Sequence, residues 1–195
     1  MAQAYNTDTL ITGLPRPVSF SFTPSNKIII TLKDSTARTY DQNGTFLKTF
    51  WNFRDSLYSA GQESGVLGVC ADPDFNSNHY IYIYYTHLSS ASIRIVRFTE
   101  SNNSGTNPVI ILNILQAQSG IHYGGNMHFG SDDKLYISVG TGSNNNDALL
   151  LNSPRGKILR VNRDGTIPNN NPFYDDGNPL TGRDDRIWAR GLRNS

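Results

Sequence analysis

The chain has 195 residues, a net charge of +1 and a single cysteine. Only 17% of its residues are charged and 37% are hydrophobic, and its 17 glycines belong to a large uncharged remainder suited to turns between short strands. Near-neutrality sets aside a nucleic-acid partner. No apolar run reaches the roughly 20 residues of a membrane helix. Cys70 alone can form neither an intrachain disulfide nor a cysteine-based zinc cluster.

Residues 1–12 read as an N-terminal extension without the basic and apolar regions of a secretory signal. Strand-like runs follow at Val18–Phe22 and Lys27–Leu32, and Asn43-Gly44 reads as a tight type I′ hairpin turn. Residues 55–60 offer the only plausible helical turn. Further strands are expected at Tyr80–Tyr85, Ser92–Phe98, Lys134–Val139 and Lys157–Val161, with Asp164-Gly165 turning after the last. The chain is expected to be all-β.

An internal repeat sharpens this. A small or apolar strand, a turn and a second β-branched or aromatic strand recur around Pro24, Pro73 and Ser131, which lie 49 and 58 residues apart. A unit of that size holding about four strands matches one blade of a β-propeller better than it matches a sandwich. Eight to ten residues before each anchor stand Arg16, Glu63 and His122, and Gly191-Leu-Arg-Asn194 echoes Gly13-Leu-Pro-Arg16 as the opening of a fourth copy. In a propeller these entry loops ring one mouth of the central channel, where polar groups from successive blades converge.

Other features read as structural. His79, His87 and His128 show no ligand spacing, and the pairs Asp132-Asp133, Asp175-Asp176 and Asp184-Asp185 lack a calcium-loop pattern and read as turns. Arg160 and Arg163 flank a strand as a solvated face, and Cys70 reads as buried and inert. No metal ligands are assigned within the chain.

Seven pieces occur in order: Gly65-Val-Leu-Gly-Val with Asp72-Pro-Asp-Phe75, His122-Tyr-Gly-Gly125, Phe129-Gly-Ser-Asp-Asp-Lys-Leu-Tyr136, Gly156-Lys-Ile-Leu-Arg160, Asp164-Gly-Thr-Ile-Pro168, Asn171-Pro-Phe173 and Ile187-Trp-Ala-Arg-Gly-Leu-Arg-Asn194. Together they resemble the soluble sugar dehydrogenases that depend on pyrroloquinoline quinone (PQQ), the glucose/sorbosone or aldose sugar dehydrogenase family. The resemblance implies a six-bladed propeller of which residues 13–195 supply about three blades, at 13–62, 63–120 and 121–186, with a fourth opening at 187–195. It implies oxidation of an aldose to a lactone by hydride transfer to PQQ, with a soluble electron acceptor and a periplasmic or extracellular home.

Carried over by position, His122 resembles the catalytic base. Arg193, Asn194 and Glu63 resemble cofactor contacts, and Glu63, Asn146 and Arg193 fall where the family meets sugar. Imidazole suits the proton removal, and a guanidinium suits a quinone oxygen that gains charge. Ile121 and Thr141 stand where the family commonly carries acidic residues. Calcium and its ligands belong, by the same resemblance, to a second half of the family fold, and three blades are expected to need a second copy or a second half to close the ring. Two rivals stand beside this reading: a non-catalytic binding propeller related to the Hedgehog-interacting proteins, and a calcium-dependent lactonase.

Overall fold

In the computed structural model, which describes residues 7–58, 62–88, 92–115 and 120–195, the strand-rich sequence forms three four-stranded antiparallel sheets. The first contains β1 (Pro17–Phe22), β2 (Lys27–Leu32), β3 (Thr36–Asp41) and β4 (Phe46–Asn52). The second contains β5 (Val66–Ala71), β6 (Tyr80–Thr86), β7 (Ile93–Ser101) and β8 (Ser104–Ile114). The third contains β9 (Gly124–Phe129), β10 (Leu135–Val139), β11 (Lys157–Val161) and β12 (Ile187–Arg190). Each sheet is a meander in chain order, with its first strand at one edge.

Those first strands lie side by side, β1 against β5 and β5 against β9, so the sheets fan outward from a shared inner line. The approach is close. A Cβ on Gly68 of β5 would stand 2.0 Å from the carbonyl oxygen of Gly125 in β9, so only glycine fits there. Ser21 adds a bond across the other contact, its Oγ accepting from the Ala71 N–H at 3.1 Å.

Between the sheets lie two cores, and β6 divides them by simple alternation. Ile81, Ile83 and Tyr85 pack toward Ile29 and Phe50 of the first sheet and Phe53 just after it, while Tyr82 and Tyr84 pack toward Met127, Leu135 and Ile137 of the third. Both faces of β6 are therefore buried, which is why its sequence is apolar without a polar side. The buried tyrosines keep their hydroxyls bonded: Tyr82 donates to Asp72 and to the Arg163 carbonyl, and Tyr84 donates to the Tyr123 carbonyl. The outer face of β1 is different, with Val18, Phe20 and Phe22 exposed at 46%, 61% and 65%.

Three local expectations are corrected. Asn43-Gly44 does not form a type I′ turn, because only Gly44 has positive φ; Asp41 closes a wider loop by accepting the Asn43 and Thr45 N–H groups. The two-residue turn with positive φ at both positions is instead Asn102-Asn103, between β7 and β8. The helical turn is α1 (Phe75–Asn78) rather than residues 55–60, of which 59 and 60 lie outside the described residues. Finally, Ile187–Arg190 does not open a fourth sheet. It pairs with β11 and completes the third, so the boundary at 186 falls one strand early.

Arg160 and Arg163 are not a solvated face either. Arg160 is buried, holds Asp132 through two nitrogens, binds Asn170 and Asn171, and stacks on Trp188. Arg163 bridges sheets: its guanidinium meets Asp74 at 2.5 Å and fully buried Asp72 at 3.6 Å in the second sheet's turn, and Asp133 at 3.4 Å in the third's. Replacing it strands the Asp72 carboxylate without its cation. Arg163→Leu is expected to lower stability by about 3 kcal/mol in denaturant titration. A change within the ±0.5 kcal/mol or so of an ordinary surface substitution would show that the bridge is ornamental.

Candidate active site

Because the inner strands run side by side, the loops that enter them meet at one end of the fan. Glu63 sits three residues before β5 and His122 two residues before β9, while Asn194 follows β12. The half-buried Glu63 carboxylate accepts two hydrogen bonds at one oxygen, from the His122 backbone N–H at 2.5 Å and from Asn194 Nδ2 at 3.0 Å. Asn194 completes the circuit by accepting from the Gly124 N–H at 3.0 Å. A further bond runs from the Glu63 N–H to the Gly120 carbonyl at 3.2 Å. His122 and Asn194, 59 and 131 positions from Glu63, thus bond to the same carboxylate oxygen.

His122 is buried at 7% exposure and held from both sides by one residue. Its Nδ1 lies 3.0 Å from the Gly142 carbonyl oxygen, and its own carbonyl accepts the Gly142 N–H at 3.0 Å. A carbonyl oxygen only accepts, so Nδ1 is the donor in this bond and carries a proton. The backbone at His122 has a φ of +53°, a conformation costly for a residue with a Cβ and maintained here by these bonds. Behind it, Tyr84 fixes the next residue through the Tyr123 carbonyl.

The remaining predicted positions are less tightly joined. Arg193 adjoins Asn194, its carbonyl accepts the Thr141 N–H at 2.9 Å, and its side chain is exposed. Arg16 pairs with Asp34 at the surface rather than with Glu63. Asn146 is exposed on the 3-10 turn Asn145–Leu149, and it is Asn145 that lines a cleft of about 270 Å³ with Thr141 and Arg193. Thr141 donates its hydroxyl to Asn145 Oδ1 at 3.0 Å. Among the described residues, no cluster of three or more His, Cys, Asp or Glu side chains is placed to hold a metal ion.

The family model for glucose/sorbosone dehydrogenases matches residues 14–195. The chain belongs to that family. Among curated glucose/sorbosone dehydrogenase relatives, it is 25% identical to quinoprotein glucose dehydrogenase B of Acinetobacter calcoaceticus, over 99% of this chain and 45% of that protein. It is 26% identical to the aldose sugar dehydrogenase YliI of Escherichia coli, over 97% of this chain and 51% of that one. The solved structure of the PQQ-bound aldose sugar dehydrogenase of Streptomyces coelicolor superposes with a TM-score of 0.78 at 28% identity, covering 96% of this chain and 54% of that one. The fold is accordingly that of the sugar dehydrogenase propellers, and the chain spans about half the length of these relatives.

The turn carrying Asn145 has its own support. Lys157 is fully buried and donates to the Asp147 and Arg155 carbonyls at 2.7 and 2.6 Å. Burial pushes its pKa from 10.5 down to about 8, against the attraction of Asp147 and Asp184. Between those values the unfolded chain binds the extra proton, so this lysine makes stability rise with pH. The stability difference between wild type and Lys157→Met should shift in favour of the wild type by roughly 1 to 3 kcal/mol between pH 8 and 10.5. A difference that stays flat with pH would contradict this account of Lys157.

Proposed function

We propose that this site serves the oxidation of an aldose at its anomeric hydroxyl, giving a lactone. The observation that carries the reading is the His122–Glu63–Asn194 contact, which holds a backbone-anchored imidazole where residues from two sheets meet. The donor set fits PQQ. Its quinone and carboxylate oxygens accept hydrogen bonds, and Arg193 and Asn194 would offer it a guanidinium and an amide.

His122 takes the hydroxyl proton at Nε2. The resulting imidazolium is steadied at Nδ1 by the Gly142 carbonyl. When bound, PQQ supplies the two-electron acceptor that receives the hydride from the anomeric carbon. Arg193 provides positive charge for an oxygen that becomes anionic. Glu63 orients the backbone of His122 and the amide of Asn194, and it offers its second carboxylate oxygen toward sugar. Asn145 and Asn146 stand at the substrate side.

Calcium, a soluble electron acceptor and a periplasmic or extracellular location belong to the same proposal, supported by family membership. Among the described residues, no helix is long and apolar enough to cross a membrane. The exposed Val18, Phe20 and Phe22 face is where we place contact with a second copy or a second half closing the ring.

The test is aldose-dependent dye reduction by the full-length protein loaded with PQQ and calcium. Turnover is expected, with His122→Gln lowering kcat by about 10² to 10⁴ while PQQ stays bound. Bound PQQ with no turnover on any aldose would favour a binding module. Lactone hydrolysis without PQQ would favour the lactonase.

A further inference from the structure

Lys33 follows β2 in the first sheet and belongs to no motif noted in the sequence. It is 8% exposed, and its ammonium donates to the carbonyl of Gln62, the residue immediately before Glu63. Its backbone is bonded on both sides, donating to the Arg16 carbonyl at 3.0 Å and accepting from the Val66 N–H at 2.8 Å. Gly65 closes down on it: a Cβ there would stand 2.4 Å from the Lys33 carbonyl oxygen and 2.7 Å from its Cγ.

The charges facing the ammonium are mixed. Asp34 and Glu63 attract it, Arg16 repels it, and burial is the largest influence, lowering its pKa. Burying a cation here costs free energy that an apolar side chain of similar length would not. The charge therefore has a task beyond filling space.

We propose that Lys33 is a positioning residue, whose ammonium holds the Gln62 carbonyl and draws the Glu63 carboxylate so that Glu63 meets the His122 N–H and the Asn194 amide. The geometry stands by itself; its consequence for catalysis rests on the reading of His122 as the base. The chain of contacts then runs from the first sheet through the second sheet's entry loop to the third, and the first sheet acts on the site without touching substrate.

The chain has four histidines, so ¹⁵N labelling of histidine alone gives four backbone amide signals from this region, and the one lost in His122→Gln identifies His122. In the full-length protein, the His122 amide proton is expected far downfield, as a donor to carboxylate. Lys33→Met should move it upfield and speed its hydrogen exchange about tenfold, the loss of a charge-assisted hydrogen bond, while the other three stay in place. Lys33→Arg, which keeps charge and donors, should restore most of the wild-type signal.

If Lys33→Met does not fold, Lys33→Gln carries the same expectation. A Lys33→Met protein of lower stability with an unchanged His122 signal would overturn the proposal and leave Lys33 as packing. If the signal moves while aldose oxidation is unaffected, Lys33 still positions Glu63 and the assignment of His122 as base is what fails.

Discussion

The architecture depends on how closely the inner strands approach. With Gly68 facing the Gly125 carbonyl, β5 and β9 come together without side chains between them, and β1 joins along the Ser21–Ala71 bond. Any Cβ at Gly68 would push the sheets apart at the line from which they fan. The loops entering β5 and β9, and the segment leaving β12, then have no choice but to share one end of that line. Glu63, His122 and Asn194 meet because the strands do.

Around this line the chain divides its polar work. At the site end, backbone groups and one carboxylate organise a histidine in a conformation it would not hold alone. At the opposite turns, Arg163 ties the second and third sheets through Asp72, Asp74 and Asp133. The apolar cores between sheets supply most of the stabilisation. The charged bridges fix how the sheets are set against each other, which decides whether groups from separate sheets fall within hydrogen-bonding distance.

Much of the fold was legible because the signals were local. Period-two alternation, Asn/Asp/Gly turns and the recurrence around Pro24, Pro73 and Ser131 are properties of short stretches, and the sheets follow them. The misread features depend on distant partners. Ile187–Arg190 is only four residues long and reaches β11 across a connection of more than twenty, so its allegiance is invisible from its own sequence. Arg160 and Arg163 look solvated until Asp132, Asp72 and Asp74 are brought to them. The turn at Asn43-Gly44 was decided by the Asp41 side chain, not by the dipeptide.

The same division holds at the site. Glu63, His122 and Asn194 could be named from their place in the repeat and from family resemblance, and the structure adds the bonds between them. Lys33 could not, since a lysine at a strand end is ordinarily solvent-facing and its bond to the Gln62 carbonyl comes from a segment 29 residues away. The central claim is that loops from different sheets form one connected unit. A double-mutant cycle on unfolding free energy with Glu63→Ala and Asn194→Ala measures this directly. The account predicts a coupling of about 0.5 to 3 kcal/mol. Strict additivity of the two substitutions would contradict it.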